Sequence, residues 1–163
     1  MFCRCLQIRR RDGSEGVYGV VDKPDFAVIV ALQDGRAQLV EQYRYPVGGR
    51  YWEFPQGSWE GAALDASELA RRELREETGL SAESLRPVGR LFTAYGYSSQ
   101  AYTVFLATGL ARGESDLEPE EQGLIARDFP LPAIGEMIRD GRIRDATTVA
   151  AYGLLSLLGL LPA

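Results

Sequence analysis

The chain has 163 residues, 45% of them hydrophobic and 25% charged, with a net charge of −5 and no histidine. That length and apolar share can support one sizeable core, and a single domain over residues 1–163 is expected. The acidic balance argues against non-specific nucleic-acid binding, which needs lysine and arginine to neutralise phosphates, and the absence of histidine leaves acid–base work to carboxylates. The longest apolar runs are too short for a bilayer span, and the arginine-rich stretch from Met1 to Arg11 lacks the apolar core of a signal peptide. A cytoplasmic protein without membrane association is the expectation.

In chain order, residues 1–22 read as an N-terminal β segment, with Arg9, Arg10 and Arg11 decorating a hairpin at Asp12-Gly13. Cys3 and Cys5 share one face of a strand, but no second cysteine pair exists to complete a metal site, so both are expected to be reduced. Phe26 to Leu32 is a buried-strand run, Gln33-Asp34-Gly35 a turn, and Ala37 to Tyr43 the returning strand. Trp52 to Gly57 alternates bulky apolar residues and reads as a short strand ended by proline and glycine. Asp65-Ala66-Ser67-Glu68 then offers a capping-box-like start for a helix running to about Thr78. Two aromatic and β-branched strands follow, Val88 to Tyr95 and Ala101 to Leu110, joined through Gly96 to Ser99. Gly113 to Gln122 reads as an exposed acidic loop and Leu124 to Phe129 as a last strand. Pro132 to Asp140 is expected to be a short helix, and Asp145 to Leu158 a final helix capped by Asp145.

The densest chemistry lies in Arg72-Glu73-Leu74-Arg75-Glu76-Glu77-Thr78-Gly79-Leu80. Residues three and four apart on a helix are neighbours, so Glu73, Glu76 and Glu77 repel by roughly 0.2–0.5 kcal/mol per pair unless a cation sits among them. Composition alone favours a solvated face with Arg72 paired to Glu76. The apolar stripe weighs against it: Ala66, Leu69, Ala70 and Leu74 follow a core-facing pattern, and Glu73 and Glu77 continue it. Charges on a face due for burial are costly unless paired or bound to metal. A hard divalent cation together with phosphate oxygens would suit such carboxylates.

These residues resemble the Nudix hydrolase family, whose signature reads G-x5-E-x7-R-E-U-x-E-E-x-G-U with U a bulky aliphatic residue. Arg72, Glu73, Leu74, Glu76, Glu77, Gly79 and Leu80 all match its second half. The first half departs: Gly57 stands one residue too far from Arg72, and the first glutamate falls on Ala63 or Leu64. Glu60, Asp65 and Glu68 are the acids left to hold Arg72.

The resemblance implies an α/β fold in which a mixed sheet is packed between helices. It also implies hydrolysis of the pyrophosphate linkage in a nucleoside diphosphate joined to another group, assisted by Mg2+ or Mn2+. Glu73, Glu76 and Glu77 would be metal ligands, with the main-chain carbonyl of Gln56 a further one. Arg72 would orient the carboxylates, and a late-loop acid, among Glu118, Glu120 and Glu121, would act as base or ligand.

Glu41 to Val47 followed by Trp52-Glu53 is similar to the ADP-ribose and nucleoside-diphosphate-sugar pyrophosphatase branch. This implies nucleotide contacts from Arg44 and Glu53, and a homodimer in which the N-terminal β segment completes the partner's site. Pro55-Gln56-Gly57 also resembles enzymes acting on dinucleoside polyphosphates or RNA 5′ ends. A module that binds a nucleotide without cleaving it is the alternative from another class. Tyr43, Tyr45, Trp52 and Tyr97 are candidates for base stacking, each with a core or hairpin role as its rival.

Overall fold

Strand β3 (Phe26–Gln33) is buried along almost its whole length, as a continuous apolar run should be when both faces of a strand are covered. The computed structural model to which it belongs describes residues 2–58, 65–114 and 123–162. Strand β3 turns through Asp34 and Gly35, both at positive φ, into β4 (Arg36–Arg44). That is the backbone a two-residue hairpin turn demands. A short 3₁₀ turn over Tyr45–Val47 leads to β5 (Gly49–Glu53) and then to β6 (Gln56–Gly57).

Helix α1 (Ala66–Thr78) follows, and Gly79 in the left-handed region stops it by donating its N–H to the Arg75 carbonyl at 2.8 Å. Asp65 occupies the cap position without bonding a helix N–H; its carboxylate instead accepts the Ser67 hydroxyl, so the expected capping box is not formed. The remaining elements are β7 (Leu80–Phe92), β8 (Ala101–Arg112), β9 (Ile125–Pro130), α2 (Leu131–Arg139) and α3 (Ala146–Leu157). In α3 the Asp145 side chain does cap, accepting the Thr148 N–H at 2.7 Å.

The main sheet runs β5-β4-β3-β8-β7, with β6 added to β3 and β9 to β4. The β3 to β8 pairing is parallel and the others antiparallel, so the sheet is mixed. Strand alternation divides the core in two. Val28, Val30, Leu32, Ala37 and Leu39 face Ile134, Met137, Ala151 and Leu155 of α2 and α3, whereas Ala27, Ile29 and Ala31 face Leu69, Ala70 and Leu74 of α1. A mixed sheet between helices, as expected for the fold class, results.

Other details differ from the sequence-based expectation, among them the single strand read over Trp52 to Gly57, which is divided between β5 and β6. Strand β7 starts at Leu80, not Val88, because its polar first half pairs along the edge of β8 from Leu80↔Arg112 onward. Ala66, assigned to the buried stripe, is exposed.

Strands β1 (Phe2–Arg9) and β2 (Glu15–Asp22) form a separate two-stranded sheet. It joins the rest through a bridge from Val21 to Ser98 and a hydrogen bond from the Tyr18 hydroxyl to the Gly96 carbonyl. Phe2, Val17 and Tyr18 are exposed on it, as are both cysteines. Among the described residues no helix is long and apolar enough to cross a membrane.

Candidate active site

Strand β3 is bordered by β4 at its far end, where Leu32 faces Ala37, and by β6 at its near end, where Val28 faces Gln56. Helix α1 packs over this region by the apolar stripe Leu69, Ala70 and Leu74. The docking carries its last turn against β6. Glu77 is almost completely buried and accepts the main-chain N–H of Gln56 on Oε2 at 3.0 Å. Glu73 lies so close to Gly57 that a Cβ there would overlap its carboxylate. Gly57 therefore admits the Glu73 carboxylate by its lack of a side chain, and a Cβ there would make that carboxylate shift.

Glu76 is also buried, and its Oε1 accepts Arg72 Nε at 2.6 Å across one helical turn. The structure thus gathers Arg72, Glu73, Glu76, Glu77, Gln56 and Gly57 at one junction of strand and helix.

The electrostatics of this junction favour a cation. Glu76 and Glu77 stand in the last turn of α1, where the helix dipole already presents partial negative charge. Arg72 offsets part of that charge. The donor set is carboxylate and carbonyl oxygen, the ligand type that hard divalent ions take. As the side chains stand, with Glu76 turned to Arg72, no three acidic or thiol groups among the described residues converge tightly enough to hold a metal ion. The oxygen chemistry nevertheless fits such an ion.

A second acidic group lies beside the first. Glu53, 4% exposed, accepts hydrogen bonds from Gln42 and from half-exposed Arg44. Burial pushes the Glu53 carboxyl above its ordinary range; Arg44 and Gln42 oppose that push, and the charge of Asp145 adds to it. Asp145 in turn accepts the Gln56 side-chain amide at 3.3 Å. The two candidate substrate contacts, Arg44 and Glu53, are therefore brought together as a pair with Glu53 on the inner side.

Of the candidate stacking residues, Trp52 is committed to packing against Phe129, with ring centroids 4.8 Å apart, and borders the core. Tyr43 and Tyr45 form an exposed edge-to-face pair, and Tyr97 is exposed. Arg50 is engaged by Glu41 and by the Gly123 carbonyl. Glu118, Glu120 and Glu121 lie outside the described residues, as do Glu60, Ala63 and Leu64. Asp145, 89 residues from Gln56, is the site neighbour that sequence reasoning did not find. Its place as a helix cap was evident, but nothing in the spacing joins it to Gln56.

Strand β6 carries Gln56-Gly57, and the helix that follows brings Glu77 and Glu73 back against it, with Glu76 paired to Arg72 beside them. A family profile described as NUDIX domain matches residues 22–151, and the chain belongs to that family. The chain is 34% identical over 146 residues to an ADP-ribose pyrophosphatase of Mycobacterium tuberculosis (strain ATCC 25618 / H37Rv), covering 88% of this chain and 70% of the relative. It is 29% identical over 140 residues to an ADP-ribose pyrophosphatase of Bacillus subtilis (strain 168), covering 85% and 75%. A methanol dehydrogenase activator of Bacillus methanolicus is 30% identical over 132 residues, covering 80% and 71%. The fold is shared with a crystal structure of an ADP compounds hydrolase, at a TM-score of 0.84, 24% identity and coverage of 97% of this chain and 88% of that one.

Proposed function

We propose that this protein is a pyrophosphohydrolase that cleaves the pyrophosphate linkage of a nucleoside diphosphate joined to another group, with ADP-ribose or a nucleoside-diphosphate sugar as substrate. The observation that carries this reading is the junction of α1 with β6. Glu77 meets Gln56 and Glu73 meets Gly57 there, with Glu76 paired to Arg72 on the same helix, in a chain 34% identical to an ADP-ribose pyrophosphatase.

Nudix hydrolases depend on divalent metal, and Mg2+ or Mn2+ is the proposed cofactor. Glu73, Glu76 and Glu77, with the carbonyl of Gln56, would hold it. When bound, such an ion neutralises phosphate oxygens and activates water. Arg72 orients Glu76 through a charge-assisted hydrogen bond. The Gln56 N–H holds Glu77 in place, so that carboxylate is fixed before substrate arrives. Arg44 is set to meet the anionic nucleotide, and Glu53 steadies its guanidinium from the buried side. The acidic residues Glu120 and Glu121 are proposed to supply the base.

The N-terminal hairpin, with Phe2, Val17 and Tyr18 exposed, is proposed to contact a second copy in a homodimer. The whole chain would then act as one domain in a cytoplasmic enzyme.

The test is a panel of ADP-ribose, nucleoside-diphosphate sugars, dinucleoside polyphosphates and capped RNA, with Mg2+ or Mn2+ and product identification. Release of a nucleoside monophosphate from the sugar conjugates is expected. Binding of ADP-ribose without cleavage of any compound would establish the non-catalytic alternative instead. Light scattering of the purified protein tests the dimer.

A further inference from the structure

The carboxylate of Asp145 serves two elements that share no stretch of chain. Its Oδ2 accepts the Thr148 N–H and the Thr148 hydroxyl, both at 2.7 Å, which caps α3, and it also accepts the Gln56 side-chain amide at 3.3 Å. The Thr148 hydroxyl oxygen accepts the Phe54 N–H at 2.9 Å, and Thr148 is fully buried. The segment from Phe54 to Gln56 is thus held from the α3 side at two points. From the α1 side it is held at a third, where the Gln56 N–H meets Glu77.

A cap alone does not need this reach. Serine or asparagine caps a helix about as well as aspartate. What only the longer side chains supply at 145 is an acceptor for the Gln56 amide. Gln56 is thus held at both ends, its main-chain N–H by Glu77 of α1 and its side-chain amide by Asp145 at the start of α3, while Thr148 holds the N–H of Phe54 two residues before it.

We infer that Asp145 is a positioning residue that fixes Gln56, and through it Glu77, in the orientation the metal-binding junction requires. This rests on the proposed role of that junction. Partners that orient metal ligands from outside typically contribute about 10–100-fold in affinity or activity. Asp145 acts through Gln56 and touches neither substrate nor ion.

Three variants and two readouts test it. Asp145→Ser keeps a cap but is too short to reach Gln56, Asp145→Asn keeps both acceptor roles, and Gln56→Met removes the amide. In metal-free protein, Asp145→Ser is expected to speed hydrogen exchange at the Gln56 N–H by about tenfold while α3 amides stay protected. Asp145→Asn should restore the slow rate. In Mn2+ titrations followed by electron paramagnetic resonance, Asp145→Ser and Gln56→Met should each weaken binding by about tenfold, and the double variant no further than either.

Unchanged Gln56 exchange in Asp145→Ser, or losses of Mn2+ affinity that multiply in the double variant, would overturn the positioning role. A wild-type protein that binds no Mn2+ would instead remove the site reading beneath it, while the exchange experiment would still decide whether Asp145 fixes Gln56.

Discussion

Glu77 and Gln56 are joined by a 3.0 Å hydrogen bond from the Gln56 main-chain N–H to the Glu77 carboxylate, in a position where Glu77 is only 2% exposed. A buried carboxylate accepting a backbone donor is fixed in direction, and a ligand fixed before binding loses less freedom on binding.

Replacing Glu77 by glutamine removes the charge and retains the shape. Turnover is expected to fall by more than about 100-fold, beyond the usual effect of removing a group that only supports a ligand. Circular dichroism and thermal melts should show the fold retained. Near-normal turnover would remove Glu77 from the metal site.

Gly57→Ala tests the close approach of Glu73. The new Cβ would displace a flexible carboxylate rather than backbone, so stability should change by less than about 1 kcal/mol. The Mg2+ concentration needed for half-maximal activity should rise. A large loss of stability with an unchanged metal requirement would show that the overlap is relieved by the backbone instead.

Metal alone should stabilise the folded protein if α1 binds it. At a concentration one hundred times the dissociation constant the gain is about 2.7 kcal/mol, visible as a higher melting temperature in Mg2+ than in EDTA. Triple replacement of Glu73, Glu76 and Glu77 by glutamine should abolish that difference. Persistence of the difference would place the ion elsewhere.

Glu53 gives the stability a pH dependence of known sign. Burial raises its folded-state pKa above the unfolded value, so the folded chain holds the proton more tightly. The resulting stability is fully present below the unfolded pKa and is lost as pH rises through the raised one. Relative to Glu53→Gln, which cannot titrate, the wild type should lose stability across that interval. Melts at a series of pH values measure it, and a constant difference would contradict the shift.

Leu74→Ala separates packing from chemistry. Leu74 is 1% exposed beneath α1, so truncation should cost about 2–5 kcal/mol, read from denaturant midpoints. A cost below about 1 kcal/mol would mean that α1 is not held by this stripe.

Much of this was legible from residue order because it is local. The period of Leu69, Ala70 and Leu74 announced both the helix and the inward direction of Glu77, and Asp34-Gly35 announced its hairpin. Asp145 was legible as a cap for the same reason. Apart from the start of α1, where Asp65 bonds Ser67 in place of capping and Ala66 is exposed, the failures involve partners distant in the chain. Strand β7 begins eight residues earlier than its apolar pattern suggests because β8 supplies a pairing edge to a polar segment. Trp52 is drawn to Phe129 through the pairing of β4 with both β5 and β9. The tie between Asp145 and Gln56 exists only once α3 has packed on the sheet.

The parallel pairing of β3 with β8 joins residues about 75 positions apart, with the whole of β4 to β7 between them. Closing so long an interval costs chain entropy before any contact is gained, which places this pairing among the slower steps of folding. Glu77 reaches Gln56 only after β6 has joined the same central strand. A nascent chain released before β8 emerges from the ribosome would carry every residue of the Glu77–Gln56 contact yet lack the parallel strand that completes the floor beneath it.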